Sequence, residues 1–212
     1  MVRIALIHAV AVAMDPTAEA FERLWPDATL QNILDDSLSR DRASAGGLTP
    51  DMTARFVSLA RYAAEVGADG VLFTCSAFGP CIEAAAGAVP IPVLKPNEAM
   101  FGEAVRRGGR IGLLASFAPS LPPMVEEYHQ MAPGHDLATA CVPEAMDALA
   151  AGDGPRHDAL LADGARALGD CGTIMLAQFS TARAREAVAA ATGRTVLTSP
   201  DSAVLAMKAA LA

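Results

Sequence analysis

An internal repeat constrains this chain more than any other feature of its sequence. Arg3-Ile4-Ala5-Leu6-Ile7 aligns with Arg110-Ile111-Gly112-Leu113-Leu114, and the same shift carries Leu30–Asp36 onto Leu137–Pro143. Further on, Val71-Leu72-Phe73-Thr74-Cys75 falls on Ile174-Met175-Leu176-Ala177-Gln178, which takes Glu83 onto Glu186 and Val93-Leu94 onto Val196-Leu197. The shift changes only once, by a net deletion of four residues assigned to the loop around Ala150–Pro155. Four elements repeated in one order describe a chain of 212 residues built as two halves of one plan.

Each half reads as strand and helix in alternation. The apolar runs 3–7, 30–34, 70–74 and 91–94 do not alternate with polar residues, as expected of parallel strands covered on both faces. Asp15-Pro16, Thr49-Pro50 and Gly154-Pro155 mark helix starts, because proline tolerates the first helical position where no amide donor is needed. Pro50–Val66 places Phe56, Leu59, Ala60, Ala63 and Ala64 on one helical face, a core-packing stripe. The resulting fold class is α/β, with two similar Rossmann-like halves, each a four-stranded parallel sheet in the order 2-1-3-4. The halves are expected to be related by a pseudo-two-fold axis with a cleft between them. Residues 1–96 plus 199–212 form one half and 97–198 the other, with 97–108 and 200–212 crossing to pack on the opposite half.

Composition removes several classes of function. The net charge is −8, and no more than two basic residues stand side by side, at Arg106 and Arg107. No footprint for a phosphate backbone is present, so nucleic acid is excluded as a partner. Charged residues interrupt every apolar run before it could cross a bilayer, which excludes a membrane span. The start, Met1–Met14, holds an apolar stretch behind Arg3, but His8 lies inside it and the stretch recurs as a core strand, so it reads as structure and not as a secretory signal. Cys75, Cys81, Cys141 and Cys171 show no metal-ligand or disulfide spacing. A reducing cytoplasm is the expected location.

In doubly wound sheets, ligands bind beyond the carboxyl ends of the strands where strand order reverses. That point lies between the first and third strands, at His8-Ala9 and Thr74-Cys75-Ser76 in the first half and at Ala115-Ser116 and Gln178-Phe179-Ser180 in the second. The turn Ser76-Ala77-Phe78-Gly79-Pro80 aims free amides at the strand end, which favours anions and is expected to lower the Cys75 thiol pKa. Thr74, Ser76 and Ala77 are therefore substrate-binding candidates, together with Ser116, Gln178, Phe179, Ser180 and Asn97. His8 is a candidate second acid or base. Ser120, Glu98, Asp201 and Ser202 read equally well as helix caps. Cys81, Cys141 and Cys171 read as packing residues, the last two preceding or beginning strands. Asp35 and Asp36 suggest a ribose-binding acid, but no glycine-rich fingerprint follows the first strand, so a dinucleotide site is rejected.

Leu72-Phe73-Thr74-Cys75-Ser76-Ala77-Phe78-Gly79, with the duplicated halves, resembles the aspartate/glutamate/hydantoin racemase superfamily over essentially the whole chain. The resemblance implies a cysteine at the end of the third strand of each half, the pair moving a proton off and onto a carbon beside a carboxylate. Thr74-Cys75-Ser76 matches the first cysteine motif. Where the family has the second cysteine, this chain has Gln178-Phe179-Ser180-Thr181.

Two-base racemisation needs an acid or base on each face of the α-carbon, and glutamine does not titrate. The expected function is an isomerase of this superfamily, independent of metal, pyridoxal phosphate and nucleotide, that transfers a proton beside the carboxylate of a small acid such as an amino acid or diacid. Cys75 and His8 are its catalytic candidates. The alternatives are a single-cysteine decarboxylase or lyase, which the resemblance to arylmalonate decarboxylases suggests, and a small-acid binding protein without turnover. The partner is a small carboxylic acid, and association into a homo-oligomer is left open.

Overall fold

Successive side chains on the central strands are buried on opposite sides, which explains why their sequences show no polar alternation. The computed structural model describes residues 1–212. In chain order the elements are β1 (Arg3–His8), α1 (Met14–Leu24), β2 (Thr29–Leu34), α2 (Leu38–Ala45), α3 (Pro50–Glu65), β3 (Gly70–Phe73), α4 (Gly79–Ala86) and β4 (Val93–Leu94). They continue as α5 (Glu98–Arg107), β5 (Ile111–Ala115), α6 (Leu121–Met131), β6 (Leu137–Cys141), α7 (Pro143–Ala150), α8 (Gly154–Gly164), β7 (Thr173–Leu176), α9 (Arg185–Thr192), β8 (Thr195–Thr198) and α10 (Ser199–Ala210). One sheet has the order β2-β1-β3-β4 and the other β6-β5-β7-β8, with every pairing parallel. Both sheets thus have the order 2-1-3-4 expected from the sequence.

The chain divides into two units, Met1–Glu98 with Ala203–Ala212, and Ala99–Ser202. In the first unit Ala5, Ile7, Val71 and Phe73 face a core shared with α2, α3 and α4. Ile4, Leu6 and Leu72 face the other side, against Phe21 of α1 and Ala203, Val204 and Met207 of α10. In the second unit Ile111, Leu113 and Met175 pack with Met100, Phe101 and Tyr128, whereas Leu114, Ile174 and Leu176 pack with Leu161, Ala184 and Val188. Gly112 stands where β1 has Ala5, and a Cβ there would lie 2.9 Å from Leu168 Cδ1, so Leu168 packs closer over β5 than a larger residue would let it. No helix is long and apolar enough to cross a membrane.

Local details differ from the sequence expectation. Between the second and third strands each half carries two helices, not one, because α2 and α7 form ahead of α3 and α8. The four-residue deletion is not confined to one loop: the turn 35–37 is matched by Val142 alone, and the loop 46–49 by 151–153. Such spreading leaves helices and strands in register, since loops absorb length changes at little cost. Thr49 caps α3 as expected, its side chain accepting from the Met52 amide. Asp15 does not cap α1; a short 3-10 turn, Ala11–Ala13, leads into the helix, and Asp15 lies in its first turn. Asp153, not Gly154, caps α8 through the Arg156 amide.

Candidate active site

The first unit brings its predicted residues together at the carboxyl ends of β1 and β3. The Thr74 amide continues the ladder by donating to the Ile7 carbonyl, at 3.0 Å, which sets Thr74 beside His8. His8 is the last residue of β1 and fully buried, not a loop residue after the strand. Its Nε2 lies 3.0 Å from Asn32 Oδ1 and its Nδ1 2.9 Å from the Thr74 hydroxyl. Asn32 Oδ1 only accepts, so Nε2 carries the proton and Nδ1 accepts from Thr74. Burial pushes the imidazole below its ordinary pKa, against a smaller opposing effect of the Asn32 hydrogen bond, and keeps it neutral. With both nitrogens engaged, His8 orients Thr74, the neighbour of the thiol.

Cys75 follows in extended backbone and leads into the 3-10 turn Ser76–Phe78. Phe78 anchors that turn, fully buried with its ring centre 4.9 Å from that of Phe56 in a tilted pair, and Phe56 in turn stacks on Phe73 at 5.0 Å. Cys75 is half-buried. Its pKa moves opposite to the sequence expectation. Burial pushes it up, and the Ala77 amide and the Arg42 charge only partly offset this. The amide donor is present, but desolvation of a thiolate packed among apolar side chains outweighs it.

Arg42 is a candidate that sequence reasoning missed. It lies on α2 with its guanidinium carbon 6.0 Å from the centre of the Phe78 ring, and its Nε is buried without a hydrogen-bond partner. Arg55 of α3 fixes the start of α2 by binding Asp35, Ser37 and Asp41, the residue before Arg42. Asp35 therefore has a structural partner; burial works against its charge, but the Ser37 hydroxyl and Arg55 hold it below the usual carboxylate range. Asp41-Arg42 reads in sequence as part of a charged surface helix, and nothing local aims Arg42 at a cysteine. Asn32 was missed as well; its one signal is the polar pair Gln31-Asn32 inside an apolar strand.

In the second unit Gln178 stands two residues beyond the end of β7, as Cys75 stands two residues beyond the end of β3. Its Oε1 accepts from the Ser116 amide at 3.0 Å and from the Ser116 hydroxyl at 3.4 Å, and its Nε2 donates to Ser120 Oγ at 2.9 Å. The Ser120 hydroxyl donates onward to the Phe117 carbonyl at 2.7 Å. Because a backbone amide only donates, the amide oxygen of Gln178 must face Ser116. Phe179 and Ser180 are buried in the following 3-10 turn, held by the Thr181 hydroxyl against the Gln178 carbonyl at 2.7 Å.

The remaining candidates are dispersed. Asn97 is buried in the turn between β4 and α5, and Glu98 opens α5. Asp201 pairs with Arg185 at 3.1 Å, and Ser202 donates to Glu103 at 3.1 Å, so both serve packing within the second unit. Cys81 is buried 3.4 Å from the Thr53 hydroxyl, and Cys171 bonds the Leu168 carbonyl. Cys141 ends β6, so the expectation that it precedes or begins a strand is corrected. No group of three or more His, Cys, Asp and Glu side chains is arranged to hold a metal ion.

A thiol at the switch point of a 2-1-3-4 sheet, in a chain that repeats that sheet, accompanies a match to a known family. The sequence profile of the Asp/Glu/hydantoin racemases covers residues 12–207. The chain belongs to that family.

Family membership supports an isomerase and a racemase-like enzyme. Among solved structures, aspartate racemase from Picrophilus torridus superposes with a TM-score of 0.75 at 11% identity, covering 100% of this chain and 94% of that one. Allantoin racemase from Klebsiella pneumoniae gives 0.74 at 17%, covering 99% and 87%. Glutamate racemase from Francisella tularensis in complex with D-glutamate gives 0.70 at 12%, covering 98% and 80%. At these identities the racemase-family chain shares a fold with them. No curated protein sequence matches it.

Proposed function

We propose that this racemase-family chain is a cofactor-independent enzyme that transfers a proton beside the carboxylate of a small acid, with Cys75 as its one reacting thiol. The observation that carries the reading is Cys75 at the end of β3, with the buried, unpartnered Nε of Arg42 beside the Phe78 ring that anchors the cysteine turn. Arg42 receives the acid's carboxylate, which supplies the acceptor its Nε lacks. Neutral His8 holds Thr74, and Thr74 fixes the approach to the thiol.

A thiol whose pKa is raised stays protonated at neutral pH, which suits it to deliver a proton to a carbanion at the α-carbon. In an isomerisation, the minority thiolate first takes the α-proton, the electron pair passes into the carboxylate as an enediolate, water delivers a proton to the opposite face of that carbon, and the hydroxide left behind takes the proton from Cys75. Gln178 favours a second reading, a single-thiol decarboxylase or lyase, because an amide neither takes nor gives a proton. There a carbon–carbon bond breaks, carbon dioxide leaves, its electron pair remains as the enediolate, and the Cys75 S–H protonates the α-carbon. Water then reprotonates the thiolate.

The test is NMR of small 2-amino and 2-substituted acids incubated with the full chain in deuterium oxide, with carbon dioxide measured in parallel. Deuterium at the α-carbon that disappears in Cys75→Ser is expected. Carbon dioxide release assigns the lyase, and its absence the isomerase. Exchange undiminished in Cys75→Ser overturns the proposal.

A further inference from the structure

Two neighbouring residues of α3 reach the two parts of the first-unit site. Phe56 is buried in the core, and its ring centre lies 4.9 Å from that of Phe78, which anchors the turn after Cys75. Arg55 turns to α2 instead. Its Nη1 donates to Asp41 Oδ2, and its Nη2 donates to Asp35 Oδ2 and to the Ser37 hydroxyl oxygen, each at 2.5 Å. The Ser37 hydroxyl donates in turn to Asp35 Oδ1 at 2.7 Å. One guanidinium therefore joins the loop before α2 to the first turn of that helix and ties both to α3.

Little else holds α2. It is eight residues long and buries only Leu38, and a helix that short does not persist by itself in water. Ser37 at its N-cap makes no side-chain capping bond, because its hydroxyl is engaged by Asp35 and Arg55. The Arg40–Asp36 pair is 3.8 Å apart with both side chains exposed, so it contributes little. Arg42 extends from this helix to the Phe78 ring, its guanidinium carbon 6.0 Å from the ring centre and its buried Nε without a partner. Its charge acts on the Cys75 thiol. The placement of that charge depends on whatever anchors α2.

From this clamp we infer that Arg55 is a positioning residue: by tying α2 to the helix that carries Phe56, it holds the Arg42 guanidinium where a carboxylate at the thiol meets it. This role rests on the proposed function and adds to it the residue that preorganises the carboxylate contact. Arg55 acts through α2, with both terminal nitrogens of its guanidinium taken up by Asp35, Ser37 and Asp41.

The test uses iodoacetate and iodoacetamide, which alkylate the same thiolate and differ in a carboxylate. The full chain is treated with an equimolar mixture, and the ratio of carboxymethyl to carbamidomethyl product on Cys75 is read by peptide mass spectrometry. Because both reagents draw on one thiolate, the ratio cancels the titration of the thiol and reports the cation beside it. Arg42→Gln is expected to lower the ratio roughly threefold, and Arg55→Gln to lower it in the same sense. In the Arg42→Gln background, Arg55→Gln should change nothing further. Asp41→Ala separates position from charge: loss of an anion by itself raises the ratio, whereas loss of the clamp lowers it, and we expect it to fall. The Asp41 side chain is 48% exposed, so this variant keeps the fold, and buried Cys81 staying unlabelled checks that in every variant. A ratio that rises or stays unchanged in Asp41→Ala, or additive effects of Arg42→Gln and Arg55→Gln, overturns the inference and leaves the role of Arg42 intact. A ratio unmoved by Arg42→Gln overturns the carboxylate contact and the inference with it. Neither result depends on turnover, so a silent deuterium experiment indicts the proposed reaction alone.

Discussion

The side-chain oxygen of Gln178 accepts the backbone amide of Ser116 across the ends of β7 and β5, at 3.0 Å. This one bond satisfies a buried amide and fixes which way the glutamine points. Removing the acceptor leaves that N–H unpaired, so Gln178→Ala is expected to destabilise the chain by about 1–3 kcal/mol in urea unfolding. Gln178→Glu keeps an acceptor for Ser116, and the Ser120 hydroxyl can turn to donate to it, so its loss should be smaller. Equal losses in the two variants would show that the Ser116 bond is not the cause.

A single proton donor decides the stereochemistry of the decarboxylation product. With one thiol, a new α-hydrogen comes from one face, so that product, labelled in deuterium oxide, should be a single enantiomer by chiral chromatography. Cys75→Ser should abolish turnover. Racemic decarboxylation product from the unaltered chain would contradict the one-thiol mechanism and point to His8 as a second base.

The Cys75 thiol should titrate above an ordinary cysteine, because burial outweighs the Ala77 amide and the Arg42 charge. Its alkylation rate plotted against pH should therefore reach its midpoint above that of a cysteine in an unstructured peptide. Arg42→Gln removes a charge that favours the thiolate and should move the midpoint higher still. A midpoint below the peptide reference would restore the helix-amide argument that the sequence suggested.

His8 makes stability pH-dependent in a definite direction. Its folded pKa lies below the ordinary histidine value of about 6.5, so below that pH the unfolded chain takes up a proton that the folded chain refuses. The stabilisation from neutral His8 is complete above about pH 6.5 and declines as pH falls through that value toward the folded pKa. The difference in unfolding free energy between the chain and His8→Asn should shrink from pH 7.5 to pH 5.5. A constant difference would mean that His8 is not held neutral.

Much of this molecule was legible in sequence. The repeat, the two parallel sheets with their order, and Cys75 at the switch point follow from patterns spanning a few residues, since a strand covered on both faces must be apolar along its whole length. The same patterns placed His8, Thr74, Ser116 and Gln178 at strand ends. They did not pair Asn32 with His8, bring Arg42 to the cysteine turn, or reveal that Gln178 spends its oxygen on an amide 62 residues away. The direction of the Cys75 shift was misread for a related reason: the turn amide that favours the thiolate is local and visible, whereas the apolar packing that opposes it comes from α2, α3 and α4. Sequence fixes backbone course and buried faces through local sterics and periodicity. Hydrogen-bond partners and desolvation depend on which distant side chains share a volume, and only the packed chain decides that.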